Sequence, residues 1–245
     1  MNEAQLYIGC AGWSIPSQHA DRFDANGSHL ERYATTFNAV EINSSFYRPH
    51  QRKTYARWAQ SVPADFRFAV KVPKTMTHES RLREVEAALD RFADEVGGLG
   101  EKLGPILVQL PPSLPFADDP VIPFFENVRQ RLNCPIVCEP RHASWFRPEV
   151  EAELQNYGIG RVAADPAIVP SASDPGGAPA LAYFRLHGSP QIYYSAYGHD
   201  QIANLAGSMK ELQRLEKVVW CIFDNTAAGA ATLNAIDLRT RLSQK

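Results

Sequence analysis

The stretch Ile136-Val137-Cys138-Glu139-Pro140-Arg141-His142-Ala143-Ser144-Trp145-Phe146 decides how the chain is read. It starts as an apolar run and ends in a carboxylate, a proline, a guanidinium and an imidazole. Pro140 has no N–H to give to a sheet ladder, so the strand stops there. Glu139, Arg141 and His142 are thereby delivered to a strand end, where α/β proteins build their sites. Seven further apolar runs repeat the pattern, at residues 6–10, 39–43, 66–73, 106–110, 161–165, 181–187 and 218–225. Helical signals separate most of them. Ser28 and Glu31 have capping-box spacing. A helix is expected around residues 53–59. Another is expected from Ser80 to Val96, where Leu82, Val85, Ala88, Leu89, Phe92 and Val96 recur at three and four residues. Asp119-Pro120 and Pro148 open two more. A helix ending near Lys217 and a final one with Leu233, Ile236, Leu238 and Leu242 complete the series. Residues 166–180, rich in Pro, Ser, Gly and Ala, read as a long loop in place of a sixth helix.

Eight strands alternating with helices predict an α/β chain folded as a single-domain TIM-type (β/α)8 barrel over residues 1–245, irregular around its sixth β/α unit. A doubly wound open sheet is the alternative. It lacks the glycine fingerprint, because Gly9-Cys10-Ala11-Gly12 runs into a polar loop and no helix follows. The 245 residues are 44% hydrophobic and 21% charged with net charge -2, an ordinary composition for a sizeable core. No basic excess supports binding to nucleic acid. No apolar run is long enough for a membrane span, and no basic segment precedes an apolar one at the N-terminus, so a cytoplasmic location is expected. Cys10, Cys134, Cys138 and Cys221 show no C-x-x-C spacing and are expected as free thiols.

Strand ends of a barrel converge on one mouth. The polar residues carried there are Trp13; Glu41 and Asn43; Lys71; Gln109; Glu139, Arg141 and His142; Asp165; Arg185 and His187; Asp224 and Asn225. Glu41, Glu139, Lys71 and His187 are the expected catalytic groups. Trp13, Asn43, Tyr47, Gln109, Arg141, His142, Trp145, Arg185, Asp224 and Asn225 are the expected substrate contacts. Two carboxylates with a lysine suit proton transfer next to a carbonyl, or glycosidic cleavage. Lys71, Arg141 and Arg185 suit an anionic group. A desolvated Lys71 would also serve as a Schiff-base amine. The structural alternative is a set of buried ion pairs, Glu41 with Lys71 and Glu139 with Arg185. Such networks return little stability for their desolvation, which favours a ligand site. Glu41, Glu139, His187 and Asp224 are types that bind divalent metals, but no ligand spacing supports a site, and no cofactor is expected.

The stretches Tyr7-Ile8-Gly9-Cys10-Ala11-Gly12-Trp13, Val40-Glu41-Ile42-Asn43-Ser44-Ser45-Phe46-Tyr47 and Phe68-Ala69-Val70-Lys71-Val72-Pro73 resemble the YecE-like proteins, domain-of-unknown-function family 72 of bacteria and archaea. Gln109-Leu110-Pro111-Pro112, Glu139-Pro140-Arg141-His142 with Trp145, Arg185-Leu186-His187-Gly188 and Phe223-Asp224-Asn225 are similar to its later motifs, in order along nearly the whole chain. The resemblance implies a TIM-type barrel with these motifs at its mouth, and no mechanism. Residues 166–180 depart from it, lacking the aromatic and acidic residues associated with the family there. Three functions follow: an enzyme, hydrolase or lyase/isomerase, on a small anionic or carbohydrate-like substrate; a metal-dependent phosphoesterase or nucleic-acid-processing barrel; and a non-catalytic ligand-binding module. A retaining glycosidase is disfavoured because Cys138, not Asn, precedes Glu139.

Overall fold

The structure is a computed structural model that describes residues 5–244. The outermost parts of the expected 1–245 unit, residues 1–4 and 245, lie outside the described residues. Among the described residues ten strands are formed: β1 (Leu6–Cys10), β2 (Ala39–Ile42), β3 (Arg67–Lys71), β4 (Leu103–Gln109), β5 (Ile136–Glu139), β6 (Ile159–Arg161), β7 (Ala163–Asp165), β8 (Gly176–Gly177), β9 (Leu181–Leu186) and β10 (Val218–Phe223). The helices are α1 (His29–Thr36), α2 (Arg52–Gln60), α3 (Glu86–Val96), α4 (Asp118–Arg131), α5 (Pro148–Asn156), α6 (His199–Arg214) and α7 (Ala230–Ser243). The local signals account for several boundaries. Ser28 and Glu31 close a reciprocal capping box on α1. Pro148 occupies the first turn of α5. In α4, Asp119 is extended, so the regular helix begins at Pro120.

The strands form two sheets, in the orders β1-β10-β9-β7 and β2-β3-β4-β5-β6-β8. The hydrogen-bonded ladder is therefore not a closed eight-stranded barrel, contrary to the expectation from strand-helix alternation. Two seams interrupt it, each with a local cause. Between β1 and β2, side chains replace the ladder. Asn38 accepts from Ile8 N–H at 3.0 Å and donates to Leu6 O at 2.7 Å. The Tyr33 hydroxyl accepts from Cys10 N–H at 2.8 Å and donates to Ala39 O at 3.0 Å. Direct pairing starts only at Ala11 opposite Glu41. At the second seam the sixth apolar run breaks at Val162. Its first half, β6, pairs with β5, and its second half, β7, pairs with β9. The short β8 lies antiparallel on the free edge of β6. As the sequence indicates, no helix follows this run. Residues 166–180 hold only a 3-10 turn (Pro170–Ser173) and β8.

The expected helix from Ser80 is shorter, starting at Glu86. Arg81, Leu82 and Glu84 adopt left-handed φ values of 51°, 70° and 52°. Leu82 N–H turns back to Met76 O at 2.8 Å, following a π-helical turn over Thr75–Glu79. Leu82 and Val85 are buried nonetheless. Their burial in a turn produced a spacing that mimics a helix.

Two apolar clusters share the interior. The larger lies between strands and helices and includes Phe37, Phe92, Phe124 and Leu238. The smaller, Tyr7, Ala39, Ala69, Leu107, Val137, Val162, Leu181, Tyr183, Trp220 and Ile222, draws its residues from both sheets. Trp220 stacks between Tyr7 and Tyr183, at 4.7 and 6.0 Å. This inner cluster sets the place of the charged residues. Glu41, Lys71, Gln109, Glu139, Arg185 and Asp224 each stand two positions beyond one of its members, on the same strand face and one layer nearer the strand ends. Gly9 fixes the first seam, because a Cβ there would stand 1.9 Å from Ala39 O and 2.8 Å from the Tyr33 hydroxyl. Gly9→Ala is expected to lower stability by about 2–3 kcal/mol through overpacking, read as a lower urea midpoint at unchanged slope.

Candidate functional site

Arg185 is the hub of the charged layer. It is 1% exposed. Its Nε and Nη2 donate to Glu41, at 3.0 and 2.8 Å. Nη1 donates to Glu139 Oε2 at 3.1 Å, and Nη2 also pairs with Asp224 Oδ2 at 3.1 Å. Tyr183 adds a hydroxyl donor to Glu41 Oε2 at 3.0 Å. Every nitrogen of the guanidinium thus faces a protein carboxylate, and these contacts take up four of its five N–H donors. The expected pair of Glu139 with Arg185 forms. Glu41 pairs with Arg185 as well, rather than with Lys71.

His187 continues the same strand face. Its Nδ1 lies 2.9 Å from Asp224 Oδ2 and so carries a proton. Its Nε2 lies 3.0 Å from Glu139 Oε1 and also contacts Arg141 Nη2. Nε2 therefore has a partner whether it donates, to Glu139, or accepts, from Arg141. Arg141 also pairs with Glu139. Burial works against charge on Glu139, but His187, Arg185 and Arg141 overcome it and hold its carboxyl well below the usual range. Asp224 is likewise held low, with burial opposed chiefly by Arg185. An ionised, triply paired Glu139 has no proton to donate near neutral pH.

Lys71 differs from the rest. It is 5% exposed, and among the described residues no carboxylate approaches its ammonium within salt-bridge distance. Its Nζ sits 4.0 Å above the Phe46 ring. Burial, reinforced by the charge of Arg185, pulls its pKa down to about 8 despite the opposing carboxylates. Ser45, held by its hydroxyl to Ile42 O and Lys71 O at 2.8 and 2.6 Å, ties the turn carrying Phe46 to the end of β3.

Three buried polar atoms near these strand ends have no protein partner among the described residues, Asn43 Oδ1, Arg141 Nε and Asn225 Oδ1. Such atoms are rare in folded proteins, and a ligand would satisfy them. Trp13 packs edge-on against Trp58 at 5.0 Å. Tyr47 is 70% exposed and touches Phe46. Gln109 ends β4 beside Glu139 in register. Three expected contacts also hold the local fold. His142 caps the turn Ala143–Phe146 by accepting from Ser144 N–H at 3.2 Å. Trp145 is fully buried, with its indole N–H on Leu114 O at 2.9 Å. Asn225 holds Ser195 O and Asn234 Oδ1, at 2.9 and 3.0 Å, and so braces the loop after β9. Asp165 accepts from the Tyr197 hydroxyl at 2.6 Å. Two participants were overlooked in the sequence. Tyr183 could have been found by its alternation with Arg185 and His187. Tyr193, whose ring lies 6.0 Å from His187, is placed by a left-handed loop residue that no pattern announces.

Geometry and packing define an α/β protein whose two sheets enclose a buried charged layer at their strand ends. The chain belongs to the family described as "Protein of unknown function DUF72", whose model matches residues 7–245. It is 28% identical to UPF0759 protein YecE of Escherichia coli over 155 residues, 63% of this chain and 55% of that protein. The matched part thus spans about half the length of that relative. With UPF0759 protein YunF of Bacillus subtilis it shares 24% identity over 94% of this chain and 92% of that one. A DUF72 family protein from Enterococcus faecalis superposes with a TM-score of 0.81 at 21% identity, covering 100% of both chains. A Thermotoga maritima member superposes at 0.80 with 24% identity, covering 98% of this chain and 100% of that one. These structural likenesses support the fold.

Proposed function

We propose that the chain is an enzyme of the lyase or isomerase type, acting on a small anionic carbonyl compound through the amine of Lys71. The observation that carries this reading is a buried lysine without a carboxylate partner, whose pKa is drawn to about 8. At neutral pH roughly a tenth of such an amine is unprotonated, about two hundred times the fraction of an ordinary lysine. The free amine adds to a carbonyl carbon, and loss of one water gives an imine whose nitrogen attracts the electrons of the neighbouring carbon. Arg141, with its unsatisfied Nε, is the donor available to a substrate carboxylate or phosphate. His187, with a partner for either state of its Nε2, is the group suited to carry a proton. Glu41, Glu139, Asp224 and Arg185 hold these groups in place as a preorganised set of charges.

The frame belonging to this reading is a (β/α)8 barrel interrupted at two seams, supported by the inner apolar cluster drawn from both sheets. The four free cysteines fit a reducing, cytoplasmic setting. Among the described residues no helix is long and apolar enough to cross a membrane. A metal-dependent phosphoesterase has less support. Its candidate ligands Glu41, Glu139 and Asp224 all face the Arg185 guanidinium, which repels a cation, and no group of three metal-binding side chains forms among the described residues.

The test is trapping. Incubation at pH 8 with pyruvate or glyoxylate and cyanoborohydride should place a reductive adduct on Lys71, located by peptide mass spectrometry. The adduct should be absent from Lys71→Met. Labelling spread over the surface lysines in proportion to their exposure, with Lys71 unmodified, would overturn the reading.

A further inference from the structure

The missing sixth helix leaves a cavity. It measures about 730 Å³ and lies between β7, β9, the turn Pro170–Ser173 and α6. This is the size of a site for a drug-sized molecule. Its apolar wall includes Phe184, Leu186, Ile202 and Leu205. The carboxylates along it are Asp165, Asp174 and Glu211, and among the described residues no Lys or Arg lines it. Glu211 is paired at the rim with Arg214 at 3.2 Å. No salt bridge reaches the Asp165 or Asp174 carboxylate among the described residues; Asp174 is exposed, and Arg161 Nη1 donates to its carbonyl at 3.1 Å. The Asp165 carboxylate, half-buried, accepts from the Tyr197 hydroxyl at 2.6 Å.

Gly207 is the second observation. It sits in the interior of α6, where glycine is a poorer helix former than alanine. A Cβ there would meet nothing within 4 Å. Neither backbone conformation nor close packing requires the glycine. It is exposed and lines the open edge of the cavity.

We propose that this cavity binds a small organic cation with an apolar body, such as an aryl-alkyl amine. The ammonium meets Asp165 and Asp174, and the body lies on Phe184 and Leu186. The site is distinct from the Lys71 site but coupled to it. The Tyr197 hydroxyl that holds Asp165 also accepts from Gly188 N–H at 2.8 Å, and His187 N–H donates to Asp165 O at 2.8 Å. A ligand on Asp165 thus touches the segment that carries His187.

The probes are 4-phenylbutylamine and the matched carboxylate, 4-phenylbutyrate, measured by calorimetry and thermal shift on the full chain. Saturable binding of the amine, at least tenfold tighter than that of the carboxylate, is expected. Gly207→Leu should abolish it by filling the cavity. Asp174→Asn should weaken it several-fold. Gly207→Ala should raise the Tm of the unliganded protein by about 2–4 °C, showing that the glycine is not needed for folding. Failure of the amine to bind, equal binding of the carboxylate, or unchanged affinity in a folded Gly207→Leu would overturn the proposal. Lys71 enters none of these outcomes, so the two sites stand or fall separately.

Discussion

Arg185→Met is expected to lower stability by about 3–5 kcal/mol, enough to unfold much of a marginally stable chain. The methionine fits the same space but leaves Glu41, Glu139 and Asp224 without the guanidinium that all three share. The direction of pH dependence separates this account from simple loss of packing. In the wild type, Glu139 and Asp224 are held below their ordinary values, with burial overcome by cationic neighbours. Their contribution is present above the ordinary carboxylate range and is lost as pH falls through their folded values. The wild type should therefore weaken in acid below about pH 4.5. In the variant, Asp224 loses the cation that chiefly opposes its burial and its carboxyl shifts upward, while Glu139 keeps His187 and Arg141 and moves less. Acidification from pH 8 to 5 should then stabilise it. Urea midpoints at the two pH values make the comparison. A variant that loses the same stability at both would show that the guanidinium acts by packing alone.

Lys71→Met should do the opposite to stability and abolish function. The ammonium is disfavoured in the folded state, since burial and Arg185 outweigh the carboxylates around it. A folded pKa of about 8, below the ordinary lysine value, means that its charging weakens the fold. That penalty is complete below pH 8 and fades as pH rises toward 10.5, the ordinary value. The wild type should gain stability from this group on going from pH 8 to 10, and Lys71→Met should lack that gain. At pH 7 the variant should be more stable by on the order of 3 kcal/mol, while carbonyl trapping disappears. A residue that weakens the fold in this way is expected at a working site. Equal or lower stability of the variant at pH 7 would instead mark Lys71 as a structural counter-ion.

Much of this arrangement was legible because strand faces alternate. Apolar runs with a polar residue two positions past a core residue mark Glu41, Lys71, Gln109, Glu139, Arg185 and Asp224 for one layer, and all stand in it. Which charges pair was not legible. Glu41 and Lys71 neighbour each other in strand order, yet the guanidinium on β9 reaches Glu41 from the facing sheet and leaves Lys71 to the ring of Phe46. The seams were hidden too. Asn38 and Tyr33 read as ordinary loop and helix residues, but their side chains occupy the hydrogen-bonding positions of a missing ladder. Trp145, beside His142, is an expected substrate contact. Its indole N–H is satisfied by Leu114 O, 31 residues away, a contact that local pattern does not encode.

The most direct test of the central claim is a site-specific titration of the Lys71 amine, followed by NMR on protein carrying isotope-labelled lysine, with Lys71→Met to assign the signal. The account predicts a midpoint near 8, well separated from the surface lysines. A midpoint at or above about 10 would contradict it, leaving Lys71 as one more charge in a structural network.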